Sequence, residues 1–124
     1  MNEESPYKSK VGLQRVWNAL HYSIAGVKAA YRCEDAFRQE AWLATLLIGV
    51  SFVLPVSPLE QAVMIITTLL VLIVELLNSA IEATVDRVSL DNHRLSKRAK
   101  DIGSAAVLLA LINVVVTWTI ILIG

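Results

Sequence analysis

The sequence has little with which to staple or punctuate a chain. Cysteine occurs once, at Cys33, so no intrachain disulfide can form. It lies among charged residues at the edge of an apolar stretch, where a reduced thiol is the simple reading. Proline occurs only three times, and two of these, Pro55 and Pro58, fall close together. No Gly/Ser linker, internal repeat or low-complexity tract divides the 124 residues, so a single domain is expected. The first 40 residues hold no apolar h-region followed by a small-residue cleavage site, so insertion through internal segments is expected rather than a signal peptide. The patterns G-x-x-x-x-G-K-[ST], H-R-D and D-F-G are all missing, which excludes the P-loop and protein-kinase routes to nucleotide chemistry. His21 and His93 are too far apart in sequence to form a metal motif.

What the chain does have is apolar residues, at 56%. A soluble domain this small needs a largely polar surface. Here the apolar residues come instead in long runs, the pattern of a membrane protein. Ala41 to Leu54 is interrupted only by Thr45 and Ser51, and Val56 extends it past Pro55. That run is short against the roughly 20 residues a span needs. Phe37 and the turn around it complete the length. Pro55 and Pro58 end this helix and make a tight connection. Ala62 to Leu77 follows and continues through Ala80 and Ile81; Ile102 to Ile123 carries no charge at all. In hydrocarbon only a helix satisfies the backbone of such segments by itself. The expected fold is an all-α membrane protein in which residues 1–11 form an N-terminal tail and 12–33 an interfacial amphipathic helix. A first span then covers 34–56 and a second, with a cytoplasmic extension, 59–86. A cytoplasmic connection at 87–101 leads to a third span at 102–123.

Charge orients these spans. All eleven Lys and Arg lie either between Lys8 and Arg38 or between Arg87 and Lys100. The connection from Pro55 to Gln61 has none, only Glu60. The positive-inside rule then places the N-terminus and the second connection in the cytoplasm, and Gly124 outside. Within residues 12–33, Val16, Trp17, Leu20, Ile24, Val27 and Tyr31 recur at helical spacing opposite Arg15, Asn18, Lys28 and Arg32. Such a helix lies in the headgroup region with Trp17 and Tyr31 at its level. An anchor with no chemistry accounts for that pattern equally well.

Glu75, Ser79, Glu82 and Asp86 are spaced by four, three and four. They fall on one narrow helical face, with Asn78 beside it. Glu75 closes an apolar run, and an ionised carboxylate at the membrane edge is costly unless it faces protein, water or a cation. Polar glue between helices is the plain alternative, but two carboxylates and an Asn exceed what glue requires. A second cluster, Glu34-Asp35 with Arg38-Gln39-Glu40, precedes the first span; Glu34 and Arg38, one turn apart, can simply pair. A third, Arg94 to Asp101, is mostly basic and is explained as readily by topology and attraction to anionic lipid. The three clusters share one depth, the cytoplasmic interface, where acids can hold Mg²⁺ and bases phosphate. The residues alone thus point to a polar, metal-capable interfacial site and to no particular reaction.

Four blocks of sequence resemble the prokaryotic diacylglycerol kinases. They are Tyr22-Ser23 with Gly26-Val27-Lys28-Ala29-Ala30-Tyr31; Glu34 through Glu40; Val74 through Ala83 followed by Val85-Asp86-Arg87; and Ser96 with Arg98 through Val107. The likeness spans roughly residues 12 to 123, and the third and fourth blocks are the most specific. Lys28 and Tyr31 depart from the Arg and Trp of the family pattern. The resemblance implies a homotrimer of three-span protomers with composite sites between neighbours. It implies transfer of the γ-phosphate of ATP, with Mg²⁺ as cofactor, to the hydroxyl of diacylglycerol in a bacterial inner membrane, with no nucleic acid as partner. Carried over residue by residue, Glu75 is the general base and Asn78 a catalytic neighbour. Glu34 and Glu82 become metal ligands and, with Arg15, Tyr22, Asp91, Asn92, His93, Lys100 and Asp101, nucleotide contacts. Ser23, Lys28, Ala30, Tyr31, Phe37, Arg38, Gln39, Glu40, Ser104 and Trp118 become lipid contacts alongside Glu75. An undecaprenol kinase of the same family and, in a different class, a small proton-coupled transporter using Glu75 remain as alternatives. A purely structural oligomer would have neither activity.

Overall fold

The computed structural model describes residues 12–88 and 93–124. They form four helices: α1 Leu13–Cys33, α2 Asp35–Ser51, α3 Pro58–Val88 and α4 Arg94–Ile123, with no strand among the described residues. The expectation of an all-α protein is met. Helices α3 and α4 are long and apolar enough to cross a membrane. Only 17% of the most apolar stretch of α4 is buried inside the protein. Leu108, Leu109, Val115 and Ile120 are each more than half exposed. A core helix of a soluble protein would hide such residues.

Each break in the chain has a local cause. Gly12 starts α1 with φ +53, a conformation that costs glycine nothing. A single extended residue, Glu34 (φ −118, ψ 107), separates α1 from α2. Its N–H donates to the Ala30 carbonyl at 2.9 Å, and its own carbonyl accepts from the Arg38 N–H at 3.1 Å. The chain therefore turns sharply without leaving a backbone group unmade. Helix α2 stops at Ser51, which donates back to the Ile48 carbonyl at 2.6 Å. After the turn a capping box opens α3. The Ser57 N–H donates to Glu60 Oε1 at 2.8 Å, and the Glu60 N–H donates to Ser57 Oγ at 3.1 Å. Pro58 occupies the first helical position, where no N–H is needed. His93 caps α4, its Nδ1 accepting from the Leu95 N–H at 3.0 Å.

The helices pack most extensively as α3 on α4, then α2 on α3, while α1 touches the rest lightly. Only Ala30 of α1 is buried, and Trp17 and Val16 stay about 60% exposed. Two contacts fix the seam between α3 and α4. At one end Trp118 Nε1 donates to the Met64 carbonyl at 3.2 Å, an oxygen that Thr67 and Thr68 also reach. Near the other end Asn78 lies against Gly103. A Cβ at position 103 would overlap Asn78 Oδ1, so the Asn78 side chain would have to move. Glycine accommodates this close approach between helices.

An elbow clamp braces α1 against α2. Arg38 Nη1 donates to the Tyr31 carbonyl at 2.6 Å, and its guanidinium stands 5.7 Å from the Tyr31 ring centroid. Trp42 Nε1 donates to the Tyr31 hydroxyl at 2.8 Å. The departure of Tyr31 from the family pattern thus has a local partner, since a Trp at 31 has no hydroxyl to accept that bond.

These contacts set the expected stability of three variants. Gly103→Ala should cost roughly 1–3 kcal/mol through overpacking. Gly49→Ala, where the added methyl meets nothing within 4 Å, should be neutral or stabilise by up to about 1 kcal/mol. Ser57→Ala should cost about 1 kcal/mol as the capping box is lost. Thermal unfolding in detergent reads all three; equal behaviour of the two glycine variants would contradict the close approach at Gly103.

Candidate active site

The continuous helix α3 carries Glu75, Ser79, Glu82 and Asp86 along one face, with burial graded along it. Glu75 is only 6% exposed, Ser79 and Glu82 are half-buried, and Asp86 is exposed. Their order runs from the end of the apolar run toward the polar end of the bundle. Glu82 feels the charges of Glu34, Lys100, Glu75 and Asp86. The elbow between α1 and α2, the polar half of α3 and the start of α4 therefore converge there.

Glu34 reaches this place because of the break it makes. The sequence pattern suggested an ion pair between Glu34 and Arg38, and the structure corrects it. Glu34 is extended, so the spacing of an uninterrupted helix does not apply. Arg38 instead pairs with Asp35 and the Tyr31 carbonyl. Freed from Arg38, Glu34 lines a cleft of about 550 Å³ between α1 and α3, together with Ser23, Ala30, Ser79 and Ala80. This brings three of the expected contact residues, Ser23, Ala30 and Glu34, into one space.

Lys100 crosses from α4 to α3, its Nζ 2.6 Å from Asp86 Oδ1. That hydrogen bond raises its amine above the ordinary lysine range, so it stays protonated at physiological pH. Lys97 pairs with Asp101 at 2.7 Å, and the same effect holds its proton. The remaining residues of the family pattern are more dispersed. Arg15, Tyr22 and Lys28 lie exposed along α1, while Gln39 and Ser104 are exposed on α2 and α4. Phe37 is buried at 4% exposure. Trp118 sits at the opposite end of the bundle from Glu75, since Met64 precedes Glu75 by about 16 Å of helix. The His93 side chain is engaged in capping α4. Asp91 and Asn92 lie outside the described residues.

Two features of this region were not read from the sequence. Gly103 was quoted only as part of a motif, although a glycine beside Ser104 in an apolar helix is itself a signal of close approach. The other is a contact across helices: Glu40 on α2 lines a groove shared with Thr68 and Val71 of α3 and Leu111 of α4, and its Oε2 is buried without a hydrogen-bond partner. No spacing rule within one helix reveals such burial. No group of three or more His, Cys, Asp or Glu that could enclose a metal occurs among the described residues. Any divalent ion here must take part of its coordination from a ligand, as Mg²⁺ does from nucleotide phosphates. Glu34 and Glu82, hard oxygen donors from different elements that feel each other's charge, fit that partial set.

Comparison with known proteins agrees with the motif likeness. The model of the prokaryotic diacylglycerol kinase family matches residues 21–122. A diacylglycerol kinase of Pseudomonas aeruginosa is 60% identical over 120 residues, covering 97% of this chain and 98% of that protein. One from Escherichia coli is 48% identical, covering 90% and 91%. One from Helicobacter pylori is 42% identical, covering 93% and 89%. Matched nearly end to end and bearing the acidic face of α3 beside Lys100, the chain belongs to the prokaryotic diacylglycerol kinase family.

Proposed function

We propose that this protein phosphorylates diacylglycerol with ATP, giving phosphatidic acid, at the cytoplasmic face of a bacterial inner membrane. The observation that carries this reading is the convergence of Glu75, Glu82, Glu34 and Lys100 where the apolar part of α3 ends. A lipid hydroxyl cannot leave the interface, so the nucleotide has to come to it. A buried carboxylate at that depth, with carboxylates and a lysine nearer water, suits both substrates. The kinase names of the relatives support the same activity.

The membrane arrangement we infer has three spans and one interfacial helix. Helices α3 and α4 are two of the spans, and α2 with the turn beyond it is the third. The exposed apolar stripe of α1, with Trp17, Leu20 and Ile24, suits the headgroup region. The distribution of Lys and Arg supports a cytoplasmic N-terminus and an external C-terminus. A homotrimer with sites shared between neighbours is the assembly the family likeness favours. The light packing and wide exposure of α1 leave room for such a neighbour.

In the reaction the lipid oxygen forms a bond to the γ-phosphorus while the bond from that phosphorus to ADP breaks, its electron pair leaving with ADP. The hydroxyl proton passes to Glu75. Phosphoryl transfer depends mainly on positioning and charge neutralisation. Lys100 supplies positive charge for the phosphates, and Asn78, one turn from Glu75, helps to orient the base or the phosphate. Mg²⁺ held by Glu34 and Glu82 would screen the phosphate oxygens and align the chain of phosphates. Arg15, Tyr22, Asp101 and the Asp91-Asn92-His93 segment are the proposed nucleotide contacts, and the other family-pattern residues line the path of the lipid.

ATP turnover in bicelles should depend on added diacylglycerol and exceed that with undecaprenol; equal or greater turnover with undecaprenol would move the assignment to the other alcohol. Glu75→Gln should lower kcat by about 10²–10⁴-fold, the usual size of a lost general base, with MgATP affinity unchanged. Normal turnover in that variant would remove Glu75 from the base role. Glu34→Gln and Glu82→Gln should each reduce activity steeply, with raised Mg²⁺ giving partial recovery at best. A wild-type Mg²⁺ titration in both would take them out of the metal site.

A further inference from the structure

The cleft between α1 and α3 has walls of unequal firmness. One wall, with Leu76, Ser79 and Ala80, belongs to α3, which packs against both α2 and α4. The other, with Ser23, Ala30 and Glu34, belongs to α1 and the elbow. Helix α1 has the lightest packing on α3 of any helix pair in contact, and it buries only Ala30. Packing therefore does little to fix the width of the cleft. Two side chains of α2 do hold α1, and both bonds end on Tyr31. Arg38 Nη1 donates to the Tyr31 carbonyl at 2.6 Å, and Trp42 Nε1 donates to the Tyr31 hydroxyl at 2.8 Å. The first grips the backbone three residues before Glu34. The second grips the tip of the ring, one turn further along α2. A single attachment leaves α1 free to pivot about it, whereas two attachments a turn apart define an angle. Tyr and Trp suit the second one, since each has a rigid ring on only two side-chain torsions.

We propose that Trp42 is a positioning residue: its hydrogen bond to Tyr31 sets the angle between α1 and α2, and with it the separation of Glu34 from the acidic face of α3. The consequence for catalysis rests on the lipid-kinase reading, whereas the setting of the angle does not. A divalent ion shared by carboxylates of two different elements tolerates little change in their distance, because Mg²⁺ holds its oxygens at about 2.0–2.1 Å. Glu34 stands at the elbow and Glu82 on α3, and they feel each other's charge. A loosened elbow spreads this pair over a range of separations. Affinity for the metal–nucleotide complex then falls by the fraction of molecules in which the pair is out of reach. The chemical step in a correctly loaded molecule is spared, since Glu75 lies on α3 and does not move with α1. Trp42 thus acts on how well the nucleotide is held and leaves the transfer itself alone.

Trp42→Phe and Tyr31→Phe each remove one half of the bond and keep an aromatic ring. Hydrogen exchange in the full-length protein, without substrates, reads the elbow directly. Amides of residues 34–42 should exchange roughly three- to tenfold faster in both variants, the size of one hydrogen bond, with the α3–α4 seam unchanged. Binding of Mn²⁺ with a non-hydrolysable ATP analogue, followed by the electron spin resonance of free Mn²⁺, reads the consequence without turnover. The apparent Kd should rise by a similar factor in each variant and no further in the double variant. In Trp42→Phe the KM for MgATP should rise likewise, with kcat held. Trp17→Phe, elsewhere on α1, should change none of these. Unchanged exchange across the elbow in both variants would overturn the proposal. So would faster exchange with unchanged Mn²⁺ affinity, which makes the bond a brace without a positioning role. Additive losses in the double variant would show the two rings acting separately, and an effect confined to the KM for diacylglycerol would make Trp42 a lipid contact; either result also overturns it. Failure of the lipid-kinase assay in the unaltered protein, with exchange and Mn²⁺ binding as stated, would count against the kinase reading alone.

Discussion

Glu75 sets the terms for this fold. A carboxylate at the end of an apolar helix has to be covered, partnered or hydrated, and here it is covered to 6% exposure. Helix α2 packs on α3, and so does α4, along the close seam. Gly103 accommodates that seam, because Asn78 occupies the space a methyl group would take. Farther along α3 the same face meets water, and there the charges become ordinary surface ion pairs such as Lys100 with Asp86. A gradient from buried carboxylate to solvated salt bridge thus runs along about three turns of one helix.

The second constraint is at Glu34. One extended residue redirects the chain while both of its backbone groups remain hydrogen-bonded. The bend therefore resembles a fixed elbow more than a hinge, and the clamp of Arg38, Tyr31 and Trp42 reinforces it. Had α1 and α2 been one helix, Glu34 would have faced Arg38 one turn on. The break turns it toward the space between α1 and α3 instead. A change in backbone at one position thereby converts a surface ion-pair partner into a candidate ligand.

Features local to one helix were the ones legible in the sequence. The apolar runs, the prolines around residues 55–58 and the spacing of Glu75, Ser79, Glu82 and Asp86 need only helical periodicity, and α3 runs unbroken through all four. The simple pairing that spacing allows between Glu34 and Arg38 is not made, because it assumes a continuous helix across residue 34. Glu40 was readable as a member of a polar cluster, but the burial of its Oε2 depends on packing between helices that no period in the sequence shows. His93 could be noticed as one of two histidines, whereas its capping role depends on where α4 begins. Contacts between helices, at Gly103 and at Glu40, are what the chain alone left unsaid.

The three tryptophans have a practical consequence. Trp17 lies exposed on α1, Trp42 donates to Tyr31 at the elbow, and Trp118 donates to the Met64 carbonyl at the far end of the α3–α4 seam. The chain holds no others. Nature has in effect installed one fluorophore in each mechanically distinct region. Replacing any two with Phe leaves a single intrinsic probe, whose emission and quenching report on one region alone. Bilayer insertion of α1, loosening of the elbow and separation of the seam become three separable optical signals, with no dye attached.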